Sequence, residues 1–505
     1  MVPAGCRERR RVARFIDVDA APRSFDARGP IVWLSALVLL AAMAFAALYQ
    51  SGRTDVDRLL DNSDFAAYYC AGTVARAHDD PYQAAPMERC RAGASNPAPI
   101  PGYATAIFSI ASFAPYRDAA IGWMLVLCIA LILTIWALHV ASGISPLPLA
   151  AAVVGTDLIA GVSFGQISVL TILGVALCAM ALSRGRHIAA ALAALLTLLQ
   201  PQIGLPIILA LLLWAPRTRL VLIVGVGALV TLSYLHFGVS ENAEYVERAI
   251  PAFGASEVPL RFQYGSSWIL YFFGLDETRA LAVSTIQYVA TVLLGVAVAP
   301  LIARRLDAPA ALAAFPAAVA VVGGPNLHLT DLAAAIPFAA ILTGTTARIR
   351  RLAWFALILL ALPWIALETL HQAAVAAIVV AVVALFALPD RPWLGRAVIA
   401  LAASAVVLAA PLLFAAIPDV PLRPAPAPAS FSAASRYGPT LAAVAHGEAI
   451  RSQAILTEPT WQSFARKAPD WAGVLLVFLA GLAARPAGRR VEDPSDEDLT
   501  VPDVL

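Results

Sequence analysis

Long apolar runs, separated by short polar connections, fill most of this chain and decide what it can fold into. The first lies between Ile31 and Tyr49. Others fall near 119–140, 147–162, 165–182, 188–200, 203–215, 219–237, 280–303, 308–322, 331–346, 352–370, 373–388, 397–417 and 471–484. A helix needs about 20 apolar residues to cross a bilayer. Backbone inside hydrocarbon has no water to bond, so each span must close its own hydrogen bonds. Composition agrees: 60% of the 505 residues are hydrophobic, 13% are charged, and mean hydropathy is +0.77. Soluble domains run at about 45–50% apolar and about 25% charged. A soluble enzyme, a disordered chain and a nucleic-acid-binding protein are thereby excluded. The expectation is an all-α, polytopic membrane protein with about 12–14 transmembrane helices and long outer loops. The short runs between 147 and 215 suit tilted, broken or half-buried helices.

Net charge is +2, so the total is silent about partners, but the distribution is informative. All the basic residues except Lys467 are arginine. A basic stretch, Cys6 to Arg14, precedes the first run, and no small-residue cleavage site follows it, so a retained helix with a cytoplasmic N-terminus is expected. Drawn from hydropathy alone, the spans then place Arg184-Gly185-Arg186, Arg217-Thr218-Arg219, Arg304-Arg305, Arg348 to Arg351, Arg391 to Arg396 and Arg485 to Arg490 on the inner side. The acidic tail, Glu492 to Asp498, is cytoplasmic on the same reading. This predicts a multi-pass protein of a bacterial inner membrane with both termini cytoplasmic. Its parts are a basic N-terminus (1–30), a transmembrane domain (31–417) whose first outer loop is 50–118, an outer Pro/Ala-rich segment (418–470), and a last helix with its tail (471–505). A third outer segment, about 238–279, contains Tyr264 to Phe273, which is too short to span and suits an interfacial or re-entrant position. No internal repeat is visible, which weighs against the symmetry of transporters.

The chemistry-bearing residues sit mainly in the outer segments. The first outer loop opens Asp61-Asn62-Ser63-Asp64-Phe65-Ala66-Ala67-Tyr68-Tyr69. A carboxylate beside aromatic surface and partly desolvated can act as a general base, which makes Asp64 the catalytic candidate. The plainer alternative makes Asp64 a helix N-cap and Tyr68 and Tyr69 belt residues. Asp157 lies inside an apolar run, where an acid is expensive and faces a cavity or a partner. Gln166 suits either a sugar hydroxyl or a bond between helices. His328 and Asp331 stand at a helix start, with Asp331 a cap or a pocket residue. Glu368 and His371 suit a solvated helix end. Asp55-Val56-Asp57 has the spacing of a metal-binding acidic pair, but no nucleotide-binding domain accompanies it, and no metal is expected. Cys70 and Cys90 share the first outer loop, where an oxidising compartment permits a disulfide.

In order along the chain, Asp64-Phe65-x-x-Tyr68-Tyr69-x-Ala71, Pro81-Tyr82, Gly102-Tyr103 with Pro115 and Trp123, Gly165-Gln166-Ile167-Ser168, Arg184 through Gln200-Pro201, and Gly324 through Leu332 resemble the motifs of glycosyltransferase family 87. The resemblance covers roughly 30–345. It implies a GT-C fold and an enzyme whose donor is a polyprenyl-phosphate sugar, a hexose such as mannose. The acceptor would be a lipid or glycan, and no cofactor would be needed beyond the lipid-linked donor. Carried over, Asp64 would deprotonate the acceptor. Tyr68, Tyr69, Asp157, Gln166, Gln200, His328 and Asp331 would line the substrates. Three departures stand out: Ala104 follows Tyr103 where the family has proline, Ser168 replaces asparagine, and Gln200 replaces the lysine of a Lys-Pro pair. The lost cation would have to come from elsewhere, with Arg261, Arg248 or Arg117 as candidates. A transporter or lipid flippase, and a non-catalytic membrane relative of the transferases, are the alternatives.

Overall fold

A computed structural model describes residues 63–82, 86–87, 89–90, 100–155, 158–259, 263–362, 364–367, 369–387, 392–418 and 460–484. Among these residues the chain is all helix and turn, apart from one antiparallel bridge between Gln263 and His328. The helices are α1 (Ser63–Arg76), α2 (Gly102–Ala111), α3 (Tyr116–Ser142), α4 (Pro146–Gly155), α5 (Leu158–Phe164), α6 (Ser168–Ser183), α7 (His187–Leu196), α8 (Pro201–Trp214) and α9 (Arg219–Glu244). They continue as α10 (Ile250–Glu257), α11 (Ser266–Phe272), α12 (Glu277–Leu306), α13 (Ala311–Gly323), α14 (Ile336–Thr343), α15 (Ala347–Leu360), α16 (Leu370–Ala387), α17 (Trp393–Ala415) and α18 (Trp461–Ala483).

Helix limits follow local chemistry. Pro115, in an extended conformation, opens α3, and Gly143 closes it in the left-handed region (φ 76°). The Asp276 carboxylate accepts the Arg279 N–H and starts α12, whose last turn carries Arg304 and Arg305 against the negative end of its dipole.

Among the described residues, four helices are long and apolar enough to cross a membrane: Tyr116–Ser142, Pro216–Ala255, Glu277–Leu306 and Trp393–Ala415. Other apolar runs fold into shorter helices, among them Ser168–Ser183, Pro201–Trp214 and Ala311–Gly323. The 147–162 run divides into α4 and α5, and α13 and α14 are buried on nearly every side. A helix that is apolar all round belongs inside a bundle. Hydropathy marks such a helix as it marks a lipid-facing one. The first expected span, 31–49, lies outside the described residues.

The segments expected outside contain helices. Helices α1 and α2 lie within the first one. α9 bends at Gly238 (φ 84°), where Asn242 Nδ2 donates to the carbonyls of Ser233 (3.1 Å) and Gly238 (2.6 Å), and the chain goes on through a π-turn at Tyr245–Ala249 into α10. Tyr264, Trp268, Tyr271 and Phe272 are buried, while Phe273 is exposed. α18 starts about ten residues earlier than hydropathy indicates, at Trp461, after Thr460 Oγ1 accepts the Ser463 N–H. One arrangement positions the site. The first residues of α6, α8 and the 3₁₀ turn Leu329–Ala335, which leads into α14, come together through side-chain bonds. Their far ends lead to Arg184, Arg217 and Arg348.

Candidate active site

The site grows from α1. Phe65 is fully buried, its ring 5.6 Å from Trp123 and 6.3 Å from Phe108. This anchor fixes the rotation of the helix, so Asp64 in its first turn and Tyr68, one turn later, share a face. The Tyr68 ring lies 5.0 Å from Phe108. Burial pushes its phenol well above the ordinary range, and the nearby Asp64 and Asp331 carboxylates push it the same way. A tyrosine so placed remains a hydroxyl donor.

Two motif turns bring in glutamines. Gly165 adopts φ 76°, a region open to glycine, and its carbonyl accepts the Trp123 indole N–H at 2.8 Å. Gln166 follows, its Oε1 accepting from Ser168 Oγ (3.2 Å) and Thr330 Oγ1, so it ties the start of α6 to the Leu329–Ala335 turn. Gln200 caps α8 in an extended conformation, and its Nε2 donates to Asp331 Oδ1 at 2.7 Å. Its Oε1 is buried without a hydrogen-bond partner among the described residues. Asp331, 2% exposed, accepts the His328 N–H on its other oxygen at 2.9 Å. It is therefore both turn cap and site residue.

The sequence reading missed Glu257, Gln263 and the place of Lys467. Glu257 ends α10 at 3% exposure. Its Oε2 lies 3.4 Å from His328 Nε2 and accepts from Gln263 Nε2 at 3.1 Å. Burial pushes this carboxyl up and Asp64 adds to that, while His328 and the Gln263 bond oppose it. Gln263 is fully buried, and its Oε1 accepts the Leu327 N–H at 2.9 Å. Lys467 reaches in from α18 with no exposed surface, its Nζ donating to the Gln263 carbonyl at 2.7 Å and standing 3.3 Å over the Trp268 ring. Glu257 has no spacing signal that sets it apart from other loop acids. Lys467 had one, as the sole lysine in an arginine-rich chain.

The structure thus brings together Asp64, Tyr68, Gln166, Gln200, His328 and Asp331. Tyr69 turns the other way: its hydroxyl donates to the Ala114 carbonyl (2.9 Å) and its ring packs on Tyr116, which holds α1 against the start of α3. Asp157, Arg261, Glu368 and the Asp55–Asp57 pair lie outside the described residues, as does the His371 side chain. Arg248 pairs with Glu244 at 3.2 Å and is 62% exposed, and Arg117 is exposed. Cys70 and Cys90 form a disulfide with a Cα–Cα distance of 5.7 Å. Among the described residues, no group of three His, Cys, Asp or Glu side chains is arranged to ligate a metal.

Residues 101–327 match the model of glycosyltransferase family 87. The match includes Gln166, Gln200, Glu257 and Gln263, and ends one residue before His328. No curated protein and no solved structure matches the chain. With the membrane-length helices, the match supports a membrane glycosyltransferase.

Proposed function

We propose that the protein transfers a hexose, mannose in our reading, from a polyprenyl-phosphate donor to a hydroxyl of a lipid or glycan acceptor, at the outer face of a bacterial inner membrane. Asp64 takes the proton from the acceptor hydroxyl. The acceptor oxygen attacks the anomeric carbon, and the bond from that carbon to the phosphate oxygen breaks in the same displacement, with inversion. The polyprenyl phosphate leaves as an anion and needs positive charge, not a proton. Gln200 cannot supply it. His328 can, because it is paired with a buried carboxylate and 37% of its side chain remains exposed. The starts of α6 and α8 add oriented N–H groups on the same side. The lipid-linked sugar is itself the donor, so the step draws on no resident cofactor.

One observation carries this reading: a first-loop carboxylate, a histidine and two further buried acids gather at one end of the bundle, in a chain whose central part matches a glycosyltransferase family. The test supplies labelled polyprenyl-phosphate mannose and native lipid extract to membranes carrying the wild type or Asp64→Asn. A positioned base contributes about 10²–10⁴-fold, so the variant should lose transfer by that factor while accumulating normally. Equal transfer by both forms removes Asp64 as the base. Transfer only with another polyprenyl-phosphate sugar corrects the hexose and keeps the mechanism.

A further inference from the structure

We infer that Glu257 is a positioning residue that acts through His328, fixing the orientation of its imidazole and keeping a proton on it. The place of the proton stands on geometry alone; its consequence for turnover rests on the transferase reading above.

The carboxylate has no reason to be buried unless it has partners. Glu257 is 3% exposed, and its chain neighbour Val258 is fully buried in an apolar cluster with Tyr271 and Ala280. An unpaired charge there would be strongly unfavourable. Both partners meet the same oxygen, Oε2: Gln263 Nε2 at 3.1 Å and His328 Nε2 at 3.4 Å. The orientation of the Gln263 amide is settled by its neighbours. The Leu327 N–H is a donor, so the atom facing it must be the amide oxygen, and the NH₂ must face Glu257. The bridge to His328 and the Lys467 bond to its carbonyl hold the Gln263 backbone, and its side chain is fully buried.

Glu257 is thus a fixed acceptor, and the ring nitrogen turned to it carries hydrogen. A carboxylate beside an imidazole favours the imidazolium. Other charged groups enter from each packed element. Asp64 from α1 faces Glu257, Asp331 in the turn of His328 holds the backbone N–H of that residue, and the Tyr68 phenol stands beside Asp64 and Asp331. Lys467 from α18 is separated from the pair by Gln263. Burial and Asp64 push the Glu257 carboxyl up, while His328 and the Gln263 bond oppose this. The arrangement turns an uncharged-looking histidine into the cation that Gln200 does not provide.

The test reads His328 directly. Diethyl pyrocarbonate acylates unprotonated imidazole. The extent of His328 modification in the intact protein in lipid nanodiscs, measured by peptide mass spectrometry across pH, gives a midpoint. Glu257→Gln keeps the shape and removes the charge, and should move the midpoint down by about one pH unit. Glu257→Asp withdraws the carboxylate and should move it the same way by less. It carries the test if the first variant does not accumulate. A midpoint unmoved in both variants overturns the inference. In the transfer assay, E257Q should lower turnover about tenfold in the wild-type background and add nothing to His328→Asn. An equal loss in both backgrounds also overturns it, since Glu257 then acts without His328. A shifted midpoint with no transfer by the wild type on any polyprenyl-phosphate sugar would retain the pair and sink the transferase reading.

Discussion

Gly265→Ala isolates how tightly the site's scaffold is built. Gly265 has φ −62° and ψ 158°, an ordinary extended conformation, so alanine meets no backbone strain. The obstacle is space alone. A Cβ there would fall 2.0 Å from the Pro325 carbonyl oxygen and 2.6 Å from its carbon. Moving it out to the 3.0 Å below which real Cβ contacts essentially never fall requires about 1 Å of separation between the two segments. Those segments are joined by Tyr264 N–H to Leu327 O (2.7 Å), Ser266 N–H to Gly324 O (3.0 Å) and Leu327 N–H to Gln263 Oε1 (2.9 Å). Overpacking costs about 1–3 kcal/mol, and weakening the three bonds by the equivalent of one lost bond costs about 0.5–1.5 kcal/mol, which gives about 1.5–4.5 kcal/mol in all. Gln263 and His328 move with the displaced segments, and a misplacement of about 1 Å lowers catalysis by about 10². The assay is thermal unfolding in nanodiscs together with sugar transfer. Gly122→Ala in α3 is the control, because a Cβ there meets nothing within 4 Å, and it should be neutral or slightly stabilising. A G265A protein as stable and as active as the wild type would refute the close approach and the scaffold argued from it.

Two further outcomes follow from the same contacts. Breaking the Cys70–Cys90 link, with a sequence separation of 20, by Cys70→Ser should lower stability by about 2–4 kcal/mol. A reducing agent should then lower the melting temperature of the wild type but not of the variant. Lys467→Met leaves the Gln263 carbonyl without its donor and removes the cation over Trp268, for a loss of about 1–3 kcal/mol in unfolding experiments. Lys467→Arg should not restore it, since a fully buried position 3.3 Å above a ring suits a compact ammonium better than a larger, planar guanidinium.

What was legible in the sequence divides along a physical line. Apolar runs announced the helices, because hydropathy acts residue by residue, but the same index cannot tell a lipid-facing helix such as α3 from the enclosed α13 and α14. Asp64, Gln166, Gln200, His328 and Asp331 were legible because each sits in a short motif with a local purpose: a helix start, a glycine turn at Gly165, an extended cap before Pro201, a turn closed by its own acid. Glu257 and Lys467 belong to no local pattern. Glu257 reaches the site only because α9 bends at Gly238 and resumes beyond a π-turn, and Lys467 because a helix near the end of the chain packs on a segment 204 residues earlier. Both are buried and both contact Gln263, so their meaning is set by the partners that offset the cost of burial. The departure at Gln200 shows the consequence. Read alone, glutamine in place of lysine removes a cation and argues for a silent relative. Set beside Asp331 and the 3.4 Å approach of His328 to Glu257, it fits the inference drawn above, in which the positive group is carried by His328 and governed by a carboxylate on another helix.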